Sequence, residues 1–228
     1  MKLYPKNYRP DIDGLRALAI LAVVIFHAFP NKLPGGFIGV DIFFVISGFL
    51  ISNHILKDLE LGKFSFFDFY SRRISRIFPA LLLMLTVLLA FSWFFLMPDD
   101  YASLGKNTVA GIAFVSNFTS LHDSGYFDAS SLQKPLLHLW SLGIEEQFYI
   151  LWPILLFLVR KIKNGPFIMT VFLFVPSFLF NIYLVKNNQS SAFYLPFTRF
   201  WELLIGCFLG VRNVSNKPKD FFLFWGWV

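Results

Sequence analysis

Two side chains in the first apolar stretch have the types and the spacing that polar chemistry inside a membrane requires. Residues 17–29 are apolar except for His27, and Arg16 directly precedes them. On an α-helix these two residues fall within about 20° of one face and about 16 Å apart along the axis. Taken singly, Arg16 fits a side chain that reaches headgroups, and His27 fits an interfacial histidine bonded to a carbonyl. Together they predict a functional pair, because ionisable groups inside membrane helices usually serve a function.

A second group of chemically capable residues lies between positions 138 and 149. His138 and Glu145 are two helical turns apart and share a face if the helix begins early. Glu145 and Glu146 are adjacent and therefore point about 100° apart. One of these two glutamates fits a structural role, because an acid in the opening turn of a helix complements the helix dipole.

Three arginines precede the next long apolar run. Arg72, Arg73 and Arg76 have a spacing that places them on one helical face, which suits an extended polyanion bound through charge-assisted hydrogen bonds. The same cluster fits an anchor for membrane topology or a site for anionic lipid. The sequence leaves these interpretations open.

Common motifs for metal and cofactor binding do not occur. There is no H-E-x-x-H pattern, and Cys207 is the one cysteine, so we predict no metal site. Ser47 is not in a G-x-S-x-G elbow, because Val45 occupies the first glycine position. The glycines at 35, 36 and 39 lack the strand–turn–helix context of a dinucleotide site. We therefore predict no permanently bound cofactor.

The composition predicts a membrane protein. Apolar residues make up 56% of the chain and charged residues 15%, whereas soluble domains are about one-quarter charged. We predict an all-α fold, a polytopic transmembrane helix bundle that forms a single membrane-embedded domain over residues 1–228. The net charge of +6 fits a lipid bilayer as partner and a role in topology, and we expect no nucleic-acid partner.

The apolar runs predict six complete spans and the start of a seventh. Residues 57–76 are polar, basic and aromatic and are predicted to form a loop or interfacial segment, and residues 101–135 a re-entrant or interfacial element. The seventh run begins at Phe221, and we expect later helices to be missing from this chain. The predicted spans are Leu15–Phe29, Phe37–Ile55, Ile77–Met97, Leu142–Val159, Phe167–Val185 and Phe200–Val211.

The basic residues are distributed unevenly over these predicted loops. With the N-terminus in the cytoplasm, fifteen of the twenty Lys and Arg residues fall on the inner side. This bias predicts a cytoplasmic N-terminus. It also argues against a full crossing by residues 106–120, which would reverse every later loop. The five outer residues are Lys32, Lys106, Lys134, Lys186 and Arg199.

Six blocks of the sequence, in order, resemble the integral-membrane acyltransferase family 3. This family includes lipopolysaccharide, exopolysaccharide and peptidoglycan O-acetylases of bacterial membranes. The resemblance implies transfer of an acyl group, usually acetyl, from acyl-CoA on the cytoplasmic side to a hydroxyl of a cell-envelope glycan. The blocks are Arg16–His27, Gly35–Ile51, Arg72–Pro79, Val115–Phe118, His138–Tyr149 and Arg199–Gly206.

Within this resemblance the candidate residues receive roles. We expect His27 to act as general base on the acceptor hydroxyl, because neutral imidazole titrates near physiological pH. Glu145 is predicted to orient or polarise His27. The acyl-CoA phosphates are expected to meet Arg16, Arg72, Arg73 and Arg76, and the predicted cavity-lining residues are Asp41, Ser47 and His138.

Two other functions fit the same residues. In a proton-coupled transporter or lipid flippase, His27 and Glu145 relay protons instead of activating a hydroxyl. The missing later helices also fit an inactive remnant or a structural partner.

Overall fold

The computed structural model describes residues 9–124 and 135–215, and every regular element within those ranges is a helix. The predicted all-α fold is therefore confirmed. The seventh apolar run at Phe221 lies outside the described residues, as do residues 125–134 of the stretch predicted to be re-entrant or interfacial. The described helices are α1 Pro10–Ala28, α2 Ile38–Glu60, α3 Phe66–Ser92, α4 Pro98–Ile112, α5 Ser116–His122, α6 Leu139–Val159, α7 Gly165–Asn187, α8 Gln189–Tyr194 and α9 Pro196–Ser215.

Four of these helices are long and apolar enough to cross a membrane, namely α2, α3, α6 and α7. The count of six spans is not confirmed. Helix α1 has 19 residues and includes Asp11, Asp13 and Arg16, and α9 has 20 residues and includes Arg199, Glu202 and Arg212. Charged residues occur in α2, α3, α6 and α7 as well, but each of the four helices contains a long apolar stretch with at most two of them, whereas three fall within α1 and three within α9.

The segment from Lys57 to Arg76, predicted to be a loop or interfacial segment, is mostly helical. The predicted loop is therefore wrong, and the interfacial position stays a prediction. Helix α2 continues to Glu60, and α3 begins at Phe66. Ser65 starts α3 early because its hydroxyl accepts a hydrogen bond from the Asp68 backbone amide at 3.3 Å. The three arginines therefore lie on the same continuous helix as the apolar run that follows them.

The end of the third predicted span also differs. Helix α3 ends at Ser92, before the predicted Met97, and Pro98 begins α4. Proline suits the first helical position, and Asp99 and Asp100 in the first turn complement the dipole of α4. Helices α4 and α5, of 15 and 7 residues, are each shorter than the roughly 20 residues of a crossing.

The start of α1 carries an ion pair outside the apolar run. The Arg9 guanidinium lies 2.6 Å from Oδ2 of Asp11, and its hydrogen bonds lower the pKa of that carboxyl to about 2. Asp11 and Asp13 occupy the first turn, where negative charge complements the helix dipole. The helix ends at Ala28, just before Pro30.

The described residues form two compact units, the first of which comprises residues 9–54 and 202–215. In this unit glycines bring helix backbones together. A Cβ on Gly48 of α2 would overlap the carbonyl oxygen of Leu203 on α9, and a Cβ on Gly206 would overlap that of Val45. Close backbone approach through small residues is a common way for membrane helices to associate.

The second unit comprises residues 55–124 and 135–201. Its centre is formed by α6, on which Ile144, Trp152 and Leu156 are fully buried. The Phe148 ring stacks 5.4 Å from Trp152 and meets Phe200 edge-on at 5.2 Å. Helix α6 is therefore the element against which the functional side chains of this unit are positioned.

A serine on α7 bonds to the backbone of α9 within the same unit. The Ser177 hydroxyl donates to the Phe197 carbonyl at 2.7 Å and accepts from the Trp201 amide at 2.9 Å. These are the two backbone groups that a regular α-helix joins directly. Ser177 thereby ties the first turn of α9 to α7.

Candidate active site

Helices α3 and α6 carry an ion pair in the interior of the second unit. Arg73 Nη2 lies 2.6 Å from Oε1 of Glu146, and Arg73 Nε lies 3.3 Å from Oε2. The two side chains are 22% and 9% exposed. Two hydrogen bonds from one guanidinium to one carboxylate fix both distance and orientation. The pair therefore sets the position of α3 against α6 at this level.

Tyr149, one helical turn after Glu145, extends this arrangement. The Arg73 guanidinium carbon lies 3.5 Å from the centre of the Tyr149 ring, which is cation–π geometry. The Tyr149 hydroxyl donates to Oε1 of Glu145 at 2.5 Å. The contacts therefore form a chain: Glu146 pairs with Arg73, Arg73 lies over the Tyr149 ring, and the Tyr149 hydroxyl bonds to Glu145.

A further hydrogen bond joins the two helices one turn away on α3. The Tyr70 hydroxyl donates to the Ile150 carbonyl at 2.9 Å. Pro153 in α6 has no backbone N–H and disturbs the hydrogen bonding of the preceding turn. A hydroxyl from a neighbouring helix can satisfy a backbone group in such a turn, which a membrane requires.

The expectation that one of the two glutamates opens its helix is wrong. Helix α6 begins at Leu139, not at Leu142, and has no acid in its first turn. The dipole effect is confined to that turn, so Glu145 and Glu146 lie too deep for it. Glu146 is nevertheless the partner of a structural ion pair, and Glu145 is bonded to Tyr149 instead.

The three arginines of α3 occupy two environments. Arg73 is half-buried and bonded to Glu146, whereas Arg72 and Arg76 are exposed. Arg72 lies 4.0 Å from Asp58, which is a weak surface contact. Binding of acyl-CoA phosphates by this cluster stays a prediction. Arg72 and Arg76 are the two members whose guanidinium groups are exposed and could take part in it.

The first unit holds Arg16 and His27 on the continuous helix α1, as predicted from their spacing. Arg16 is half-buried, with its guanidinium carbon 5.4 Å from the Phe43 ring centre of α2. His27 is exposed. Its Nδ1 lies 2.8 Å from the Val23 carbonyl oxygen, and a carbonyl oxygen only accepts hydrogen bonds. The hydrogen is therefore on Nδ1, and neutral His27 has its basic lone pair on Nε2.

The remaining predicted residues lie in both units. Asp41 is half-buried in the first turn of α2, and Ser47 is buried on the same helix. His138 is exposed and directly precedes α6, and its carbonyl accepts a hydrogen bond from Ser141. Their cavity-lining role stays a prediction. His27 and Glu145 belong to different units, and the predicted pairing between them also stays a prediction.

The sequence interpretation missed a buried polar network beside the ion pair. Gln147 Nε2 donates to the Phe114 carbonyl at 2.7 Å and to Asn117 Oδ1 at 2.8 Å. Asn117 is fully buried, and its Nδ2 donates to the Tyr194 carbonyl at 3.1 Å. Phe114 has a φ of +56°, which costs a non-glycine residue free energy. The network therefore fixes the strained junction of α4 and α5 against α6.

Tyr149 was the other residue that the sequence interpretation missed. The sequence does contain a signal for its contact with Glu145. Tyr149 follows Glu145 by four residues, and residues at i and i+4 of a helix are neighbours. Within the two described ranges, 9–124 and 135–215, no group of three or more His, Cys, Asp or Glu side chains is placed so that it could hold a metal ion.

Comparison with known proteins identifies relatives over almost the entire chain. The family profile described as an acyltransferase domain matches residues 9–228. The peptidoglycan O-acetyltransferase OatA of Listeria monocytogenes is 39% identical over 221 residues, which are 94% of this chain and 35% of that protein. The O-acetyltransferase OatA of Staphylococcus aureus is 36% identical over 214 residues, 91% of this chain and 35% of that protein. The chain thus spans about a third of the length of these curated relatives. No solved structure matches the chain.

Proposed function

Because the chain belongs to the acyltransferase domain family, whose profile matches residues 9–228, we propose that it carries out O-acyl transfer in a membrane. The acyl group is acetyl and the acceptor is a hydroxyl of a cell-wall glycan. The names of the relatives support this choice, since the Listeria monocytogenes protein is a peptidoglycan O-acetyltransferase. The donor is acyl-CoA on the cytoplasmic side, as the sequence resemblance implies.

The observation that carries this proposal is the hydrogen bond of His27. Because Nδ1–H is bonded to the Val23 carbonyl, the basic lone pair of the neutral ring is on Nε2, the atom further out along the side chain. A histidine with one nitrogen bonded in this way has a fixed tautomer and ring orientation. Both are properties that a general base requires.

The proposed reaction balances without a further co-reactant. His27 Nε2 takes the proton of the acceptor hydroxyl as the hydroxyl oxygen attacks the thioester carbonyl. A C–O bond forms and the C–S bond breaks, and the CoA thiolate leaves. The thiolate then receives the proton from the imidazolium, which restores neutral His27 and releases CoA as the thiol. Because the Val23 carbonyl already holds Nδ1–H, Glu145 is proposed to polarise His27 by stabilising the charge that the imidazole gains.

Basic residues are proposed to bind the donor. The exposed Arg72 and Arg76 on α3 are free of the buried ion pair that holds Arg73, and phosphate groups form strong hydrogen bonds with guanidinium groups. Arg16 is proposed to contribute from α1. This assignment requires the N-terminus of α3 to lie in the cytoplasm, which agrees with the excess of basic residues on that side.

A single substitution tests the proposal. Membranes that contain the full-length protein are incubated with acetyl-CoA labelled in the acetyl group and with purified peptidoglycan. We expect His27→Ala to reduce labelling of the glycan by at least a hundredfold, since general-base catalysis contributes about 10²–10⁴-fold. His54→Ala, a change of an exposed histidine on α2, is the control and should leave labelling unchanged. Full labelling with His27→Ala would disprove the proposal, and labelled substrate that crosses the membrane without covalent transfer would favour a transporter.

A further inference from the structure

We propose that Tyr149 is a positioning residue for acyl transfer, which holds the Glu145 carboxylate in place through its hydroxyl. The inference rests on the proposed function, in which Glu145 stabilises the charge on His27. It adds a residue that neither the sequence motifs nor the names of the relatives assign. The argument uses α3 and α6 of the second unit.

The first step is the contact between Tyr149 and Glu145. The hydroxyl oxygen lies 2.5 Å from Oε1, at the short end of the range for an O–H donor and an ionised carboxylate. Tyr149 is 3% exposed and Glu145 is half-buried, so little water competes for the phenol hydroxyl. Hydrogen bonds are stronger in such surroundings than in water.

The second step is the position of the Tyr149 ring. The Arg73 guanidinium carbon lies 3.5 Å from the ring centre, and Arg73 is held in turn by two hydrogen bonds to Glu146. A cation over the ring stabilises the phenol dipole that points away from it. Arg73 therefore both places the ring and strengthens its hydroxyl as a donor.

The third step is the division of labour between the two glutamates. Glu146 is the ion-pair partner of Arg73, with 2.6 Å between Glu146 Oε1 and Arg73 Nη2. Glu145 receives a hydrogen bond from a neutral phenol. A phenol donor orients the carboxylate without bringing a charge of its own, which suits a group that must stabilise an imidazolium.

Substitution of the hydroxyl alone tests the inference. Tyr149→Phe keeps the ring under Arg73 and removes only the donor to Glu145. Tyr70→Phe is the matched control, because it removes one phenol hydrogen bond to α6, that to the Ile150 carbonyl, without touching Glu145. We measure kcat and KM for acetyl-CoA with the detergent-solubilised full-length protein and purified peptidoglycan, and thermal unfolding of each variant.

We expect Tyr149→Phe to lower kcat about ten- to a hundredfold, the effect of losing a hydrogen bond to a charged group, with KM within twofold. Tyr70→Phe should keep kcat within twofold and should match Tyr149→Phe in its thermal stability. In a double-mutant cycle, Tyr149→Phe should add no further loss to Glu145→Gln, because Tyr149 is proposed to act only through the negative charge of Glu145, which Gln lacks.

Other results overturn the inference. If the unmodified protein transfers acetyl groups and Tyr149→Phe retains its kcat, or loses no more than Tyr70→Phe, Tyr149 does not position Glu145. Additive losses in the double-mutant cycle also contradict the inference. If the unmodified protein transfers no acetyl group, the proposed function itself fails. This outcome is distinguishable from failure of the inference about Tyr149, because it is observed without any substitution.

Discussion

Arg73 on α3 and Glu146 on α6 form a bidentate ion pair, with 2.6 Å between Arg73 Nη2 and Glu146 Oε1. The residues are 73 positions apart in sequence and meet in the packed interior of the second unit. Breaking such a pair leaves one charge without its partner, which is costlier than losing the attraction alone.

We therefore expect Arg73→Ala to destabilise the protein strongly. The expected loss is about 3 kcal/mol, at the lower end for buried pairs because the Arg73 side chain is 22% exposed. Thermal or chemical unfolding of the purified protein in detergent measures this loss. Arg72→Ala, which removes an exposed guanidinium 4.0 Å from Asp58, is the control and should cost less than about 1 kcal/mol. Equal losses in the two variants would contradict the structural role of Arg73.

The close approach of α2 and α9 predicts intolerance of side chains at Gly206. A Cβ there would overlap the Val45 carbonyl oxygen and lie within 2.6 Å of the Phe49 amide nitrogen. Gly206→Ala should cost about 1–3 kcal/mol, as overpacking does. Gly105 in α4 has no heavy atom within 4 Å of its Cβ position, so Gly105→Ala should be neutral or stabilising by up to about 1 kcal/mol. Unfolding measurements on the two variants compare their stabilities. Equal stabilities of Gly206→Ala and Gly105→Ala would show that α2 and α9 do not pack through Gly206.

The polar network at the junction of α4 and α5 predicts a specific sensitivity at Asn117. Asn117→Ala removes one of the two acceptors of Gln147 Nε2 and the donor to the Tyr194 carbonyl. Each buried group left without a partner costs about 1–3 kcal/mol. Asn187→Ala removes an amide bonded to the Tyr183 carbonyl at the exposed end of α7, and a surface change of this kind should cost about 0.5 kcal/mol or less. Similar melting temperatures for the two variants would show that the network does not stabilise the fold.

The chain is well suited to a direct test of its orientation. Cys207 is buried, so introduced cysteines on exposed positions report the side of the membrane with little background. Lys63 lies in the connection between α2 and α3, and Lys186 is in the last turn of α7. A membrane-impermeant maleimide should label Lys186→Cys in intact cells and Lys63→Cys only after permeabilisation. The reverse pattern would show that the N-terminus is not cytoplasmic and that the proposed donor side is wrong.

The sequence was sufficient to predict the helices formed by uninterrupted apolar runs. The predicted spans Leu142–Val159 and Phe167–Val185 correspond to α6 and α7 within three residues. The ends of these helices coincide with the ends of runs of apolar residues, which are a local property of the sequence. The start of α3 was missed because a polar and aromatic stretch reads as a loop, although Ser65 caps it.

The candidate site was predictable only in part. The spacing of Arg16 and His27 correctly placed both on α1, because a helix relates their positions by fixed rotation and rise. The pairing of Arg73 with Glu146 depends on how α3 packs against α6, which no local pattern specifies. The partition of the arginine cluster into one buried and two exposed members follows from that packing and was missed for the same reason.

The hydroxyl of Ser177 has a consequence for how the membrane protein is made. It stands between the Phe197 carbonyl and the Trp201 amide, so the opening turn of α9 draws its hydrogen bonding from a helix synthesised earlier. Backbone groups that are shielded from water need such a partner. During biogenesis the first turn of α9 is therefore expected to form only when α7 is already beside it.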